Sequence, residues 1–148
     1  MFLDTAGIRR KGKTKLMAEK LSVVMARRHI RMAAVALLVL DATEGVLGGD
    51  ATIAGYAHEG GCGIIICVNK WDAAPVKDRR VFEEQIRREL KFLDYAPVHF
   101  LSAKTGMGVS RLFPRIREVY ESASRRITTG ELNRFVETLK DEREPRIM

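Results

Sequence analysis

Two cysteines and no long apolar run set the first limits on this sequence of 148 residues. Cys62 and Cys67 lie close together, and Cys67 sits inside an apolar stretch. They read as reduced thiols rather than as a disulfide framework. No apolar run approaches the roughly 20 residues that span a bilayer, and no signal-peptide pattern opens the chain. A cytoplasmic location and no membrane partner are therefore expected. His29, His58 and His99 show no ligand spacing, which argues against a histidine-built metal site. Repeats and low-complexity tracts are absent as well. What remains, at 46% apolar and 30% charged, is the composition of one globular domain.

The charge is unevenly placed. The formal net charge is +7, and residues 1–31 hold nine Lys or Arg against two acids, Asp4 and Glu19. Residues 32–148 hold seventeen of each sign. The whole excess thus lies in Arg9-Arg10-Lys11-Gly12-Lys13-Thr14-Lys15 and the helical pattern after it. Clustered charge of one sign suggests an anionic partner, RNA first. A solvated helix face would account for it equally well.

Strand-like and helix-like segments alternate. Val35-Ala36-Leu37-Leu38-Val39-Leu40 and Ile64-Ile65-Ile66-Cys67-Val68 are continuous apolar runs, the pattern of strands covered on both faces. Val98-His99-Phe100-Leu101 is a shorter third. A helix is expected over about 50–58, and another over about 78–93 with Phe82, Ile86, Leu90 and Leu93 on one face. Beyond the third strand, Ser110 is the expected cap of a helix with the stripe Leu112, Phe113, Ile116, Val119 and Tyr120, placing Pro114 near its first turn. Leu132, Phe135, Val136 and Leu139 mark a last amphipathic helix. Such alternation predicts an α/β fold, a mostly parallel sheet with flanking helices, whose ligands bind at the carboxyl ends of the strands.

Three strand ends carry polar clusters. Leu3 is followed by Asp4-Thr5-Ala6-Gly7, Val68 by Asn69-Lys70-Trp71-Asp72, and Leu101 by Ser102-Ala103-Lys104. Each alone is weak, and a polar turn after a buried strand explains any one of them. Together and in this order they resemble the third, fourth and fifth signature boxes of P-loop GTPases. Guanine presents N1–H and a 2-amino group side by side, and the Asp72 carboxylate can accept both, whereas adenine offers neither. In this reading Asn69 holds the neighbouring loops and meets the base edge. The stems of Lys70 and Lys104 cover the two faces of the base with their ammonium groups in water. Ala103 offers its N–H to the guanine oxygen, and Ser102 braces that loop. Asp4 and Gly7 would serve the phosphates, Asp4 orienting Mg²⁺ through water and the Gly7 N–H touching the γ-phosphate. Residues 8–31 would form the switch segment. Ile8 stands where many GTPases carry a water-orienting glutamine, so other groups would position the water. Asp41 and Glu44 also follow a strand and read as a turn or cap.

The residues around these clusters narrow the resemblance. Asp4-Thr5-Ala6-Gly7-Ile8-Arg9-Arg10-Lys11-Gly12-Lys13, Leu40-Asp41-Ala42-Thr43-Glu44-Gly45, Ile53-Ala54-Gly55-Tyr56-Ala57-His58-Glu59 and Leu93-Asp94-Tyr95-Ala96-Pro97-Val98 are similar to the second GTPase domain of the Der (EngA) family. The resemblance covers nearly the whole chain. It implies guanine-nucleotide (GTP/GDP) binding, GTP hydrolysis in the intact parent, and a role in ribosome biogenesis, in large-subunit assembly, with ribosomal RNA or a ribosomal subunit as partner. It divides the chain into a partial second G domain over 1–126 and, over 127–148, the junction and first helix of a truncated KH-like domain. The one match to G-x-x-x-x-G-K-[ST] in the 148 residues, Gly7-Ile8-Arg9-Arg10-Lys11-Gly12-Lys13-Thr14, runs from the third box into the switch segment, so in this resemblance it does not stand where the family's P-loop stands. The resemblance therefore also implies a partial G-domain fold that lacks its first strands and P-loop, inactive alone as a GTP hydrolase. Gly48-Gly49 replaces a more polar stretch. The alternatives are a non-catalytic guanine-nucleotide or RNA-binding module, or a related GTPase such as Era or MnmE, against which the residues around Tyr56 and Tyr95 argue.

Overall fold

The computed structural model describes residues 16–125 and 128–143. Asp4, Gly7, the strand expected before them and the basic run 9–15 lie outside the described residues.

The β-branched and leucine-rich runs form strands β1 (Val35–Asp41), β2 (Gly63–Asn69) and β3 (Val98–Phe100). They make one parallel sheet in the order β1-β2-β3. The register sets Asp41 opposite Asn69 and Val68 opposite Phe100, so the strands end level with one another. Helices α1 (Leu16–Met32), α2 (Gly48–Glu59), α3 (Arg79–Glu89) and α4 (Val109–Ser124) surround it, and α5 (Thr129–Arg143) follows. The observed α/β architecture is the expected one.

Alternation along β2 divides the core. Ile64, Ile66 and Val68 join Leu38 and Leu40 against Ala54 and Ala57 of α2 and Phe82 and Ile86 of α3. Ile65 and Cys67 face Leu112, Ile116 and Val119 of α4 on the other side. Burial pushes the Cys67 thiol up to about 12, so it stays protonated and inert, as expected of a packing residue. β1 is less covered than its apolar run suggests. Val39 is 53% exposed, whereas Val35 and Leu37 of the same strand pack against the α4-side cluster.

Three local expectations need correction. The 78–93 helix is broken: α3 ends at Glu89, and Lys91–Leu93 form a separate 3-10 turn. Leu90 and Leu93 are nevertheless buried with Phe82 and Ile86. The break is held by Arg87, whose guanidinium donates to the Leu93 and Ala96 carbonyls at 2.7 and 2.8 Å. Second, Ser110 does not cap α4. The helix starts at Val109 after Gly108 in a left-handed conformation, which places Pro114 beyond the first turn. Third, Phe113 and Tyr120 are 57% and 49% exposed, and the packed stripe is only Leu112, Ile116 and Val119.

Candidate functional site

β2 and the end of β3 deliver the two polar loops to one place. Leu101 N–H donates to the Val68 carbonyl and Trp71 N–H to the Leu101 carbonyl, so the segments leaving the two strands are bonded to each other. Trp71 is buried against Phe82 and Phe100, anchoring the turn that carries Asp72 on its rim.

The side chains lock that geometry. Asn69 Oδ1 accepts from Lys70 N–H at 2.8 Å and from Ala103 N–H at 3.0 Å, so one amide oxygen ties the two loops together. Ser102 is fully buried, and its hydroxyl donates to Asp72 Oδ1 at 2.6 Å while accepting from Thr105 N–H at 3.2 Å. That hydroxyl is the first cause that holds the Asp72 carboxyl below its ordinary range, and Lys104 and Lys77 add to it. Asp72 is therefore ionised at neutral pH. A carboxylate has about four acceptor sites, and the Ser102 hydroxyl takes one of them on Oδ1. Each of the two oxygens keeps acceptor capacity for one of a pair of parallel donors.

Of the expected site residues, Asn69, Lys70, Asp72, Ser102, Ala103 and Lys104 stand together at the carboxyl ends of β2 and β3. Asp4 and Gly7 lie outside the described residues. Two details differ from the expected roles. Ala103 N–H is directed at Asn69 Oδ1, not left open for a base oxygen. The Lys70 ammonium is not simply in water, but lies 2.6 Å from Asp41 Oδ2. From the sequence Asp41 reads as a turn or cap residue. It is one, accepting from Thr43 N–H and Oγ1 at 2.9 and 2.6 Å, yet it also pairs with Lys70. The pair forms because the sheet register sets Asp41 opposite Asn69.

No cluster of three or more His, Cys, Asp or Glu suited to a metal ion occurs among the described residues. Mg²⁺ was expected only at Asp4, so the described residues offer no donor set against which to fit it.

Comparison with known proteins places this geometry. The model of the elongation factor Tu GTP binding domain matches residues 11–122. GTPase Der of Citrifermentans bemidjiense is 47% identical over 144 residues, 96% of this chain and 33% of that protein. GTPase Der of Bacillus cereus is 50% identical over 135 residues, 90% of this chain and 31% of its own. The chain thus spans about a third of the length of the curated relatives it matches. Among solved structures, a probable GTP-binding protein engB superposes with a TM-score of 0.65 at 20% identity, covering 80% of this chain and 77% of that one. Era in complex with MgGDPNP and nucleotides 1506-1542 of 16S ribosomal RNA gives 0.62 at 21% identity, over 74% of this chain and 36% of Era. At such identities the structures establish the fold, a GTPase-type α/β sheet with flanking helices. The residues matched by the family model include both polar loops, 69–72 and 102–104, and the chain belongs to the elongation factor Tu GTP-binding-domain family.

Proposed function

We propose that this chain binds GTP and GDP through the loops 69–72 and 102–104, and serves GTP hydrolysis by a ribosome-assembly factor of the Der type. The observation that carries the reading is Asp72, an ionised carboxylate that the buried Ser102 hydroxyl fixes through one of its acceptor sites. Two parallel acceptors on a rigid rim suit the N1–H and 2-amino pair of guanine and leave adenine unmatched. Asn69 contributes by fixing the separation of the two loops, and Lys104 stands exposed beside them. The phosphate half of the site falls to Asp4 and Gly7, with Mg²⁺, when bound, neutralising phosphate charge. The relatives' name, GTPase Der, supports GTP hydrolysis. The assignment to ribosome biogenesis, in large-subunit assembly, follows from the resemblance to the Der family. Era's solved complex with ribosomal RNA and the basic start of this chain support RNA as the partner.

The test exchanges the base. In Asp72→Asn the side-chain oxygen still accepts from N1–H, but its NH₂ meets the guanine 2-amino group donor to donor. Xanthine carries a carbonyl at that position. GTP affinity should fall by about a hundredfold or more while XTP becomes the preferred nucleotide. Competition binding of GTP against XTP measures both changes. A variant that still prefers GTP as strongly as the wild type would remove Asp72 from base recognition.

A further inference from the structure

Asp41 is a buried acid that the base-reading scheme leaves without a task. It ends β1 and is 5% exposed. Its Oδ1 closes the turn to Thr43, which an asparagine oxygen could do equally well. Its Oδ2 faces the Lys70 ammonium at 2.6 Å, and only a carboxylate can meet a cation there. Lys70 itself is unusual. Among the described residues it is the one non-glycine residue with positive φ, at φ 59 and ψ 32. A long side chain in that region is held against its backbone preference. Besides its carbonyl, which accepts from Ala73 N–H at 3.0 Å, two bonds hold it, the Asn69 Oδ1 contact to its N–H and the Asp41 contact to its ammonium. The second draws the side chain back across the strand ends toward β1, although 58% of it remains exposed.

We propose that Asp41 is a positioning residue for the guanine site, clamping the Lys70 ammonium so that the lysine stem lies across the strand ends as one wall of the base pocket. The inference rests on the guanine reading of 69–72 and 102–104. The buried carboxylate touches no nucleotide. It acts through Lys70 by removing rotamer freedom that would otherwise be lost on binding. An exposed, mobile lysine would offer the same atoms without the wall.

The experiment is a double-mutant cycle on the full chain with Asp41→Asn, Lys70→Met and the double variant, read by fluorescent GDP and ADP binding. Acylation of Lys70 relative to Lys77 and Lys104 is followed by mass spectrometry. Asp41→Asn keeps the acceptor for Thr43 and should weaken GDP binding about tenfold. It should also raise Lys70 acylation several-fold, leaving Lys77 and Lys104 unchanged. In the Lys70→Met background, Asp41→Asn should cost no further affinity. Should Lys70→Met fail to fold because it strands the Asp41 charge, the double variant has neither charge and is compared with Asp41→Asn alone. Equal GDP affinity in Asp41→Asn and wild type would overturn the proposal, as would an equal loss in both backgrounds. Unchanged Lys70 acylation would also overturn it, by showing no clamp. A wild type without preference for GDP over ADP would instead sink the guanine reading, and the pocket wall with it. The acylation result would still report whether the ion pair forms.

Discussion

Opposing influences meet on Asp41. Burial pushes its carboxyl up, but hydrogen bonds from Lys70 and Thr43, with the positive charge of Lys70, outweigh it and hold the pKa at about 2, against 3.8 for the free side chain. The folded-state value is depressed, so the stability it contributes is fully present above the unfolded value. It is lost as pH falls through about 2. A difference of this size corresponds to about 2 kcal/mol. Urea unfolding of the wild type and Asp41→Asn should therefore differ at pH 6, and the gap should shrink by about 2 kcal/mol near pH 2. A gap that stays constant between those pH values would mean that the carboxylate is no better placed folded than unfolded. Asp72, out on the rim, is lowered first by the Ser102 hydroxyl. It should remain ionised wherever guanine is to be read.

The connection from β3 to α4 carries Ser102 and Ala103, and a glycine ends it. Gly108 has φ +75, and a Cβ there would stand 2.5 Å from the Phe100 carbonyl oxygen. The His99 ring bonds the Gly108 carbonyl at 2.8 Å, while Ser102 N–H donates to the Met107 carbonyl. Gly108→Ala combines left-handed strain with a backbone clash, and should cost about 2 kcal/mol or more. Thermal unfolding would measure it, and a melt within a degree of wild type would mean that the loop absorbs a side chain freely. Such a start was hard to read from the sequence, where Ser110 carries a stronger capping signal than Gly108. The buried strands were legible, because Ile64-Ile65-Ile66-Cys67-Val68 is apolar on both alternations and both faces are covered. The positions of the two polar loops were legible because each follows a strand-like run. Phe113 and Tyr120 misled because helical spacing shows which residues share a stripe, but not how wide a stripe the neighbouring sheet covers. Asp41 and Lys70 were not legible as a pair, since they come together only through strand register.

Across the whole molecule, charge is unevenly distributed along the chain. The loops proposed to read the base lie within residues 32–148, which are neutral overall, while residues 1–31 carry the entire excess of +7. Part of that excess belongs to α1, where Arg27 stacks on Tyr56 and pairs with Glu59. An anionic partner attracted to this end would meet Arg9, Arg10 and Lys13 together. If that partner is ribosomal RNA, binding should weaken steeply with salt, by about 0.7–0.9 in the logarithmic slope per neutralised phosphate. Reversing the charge at Arg9, Arg10 and Lys13 should lower affinity strongly and flatten the slope by about two units or more. A fair control reverses three exposed charges elsewhere, and Arg87 is unsuitable because its guanidinium holds the Leu93 and Ala96 carbonyls. Arg88, Lys91 and Arg111 are exposed and serve instead. RNA filter binding at several salt concentrations compares the two triple variants. Unequal losses, with the larger at Arg9, Arg10 and Lys13, would place RNA on the basic segment. Equal losses would mean that RNA responds only to total charge, and that residues 9–31 are a solvated face.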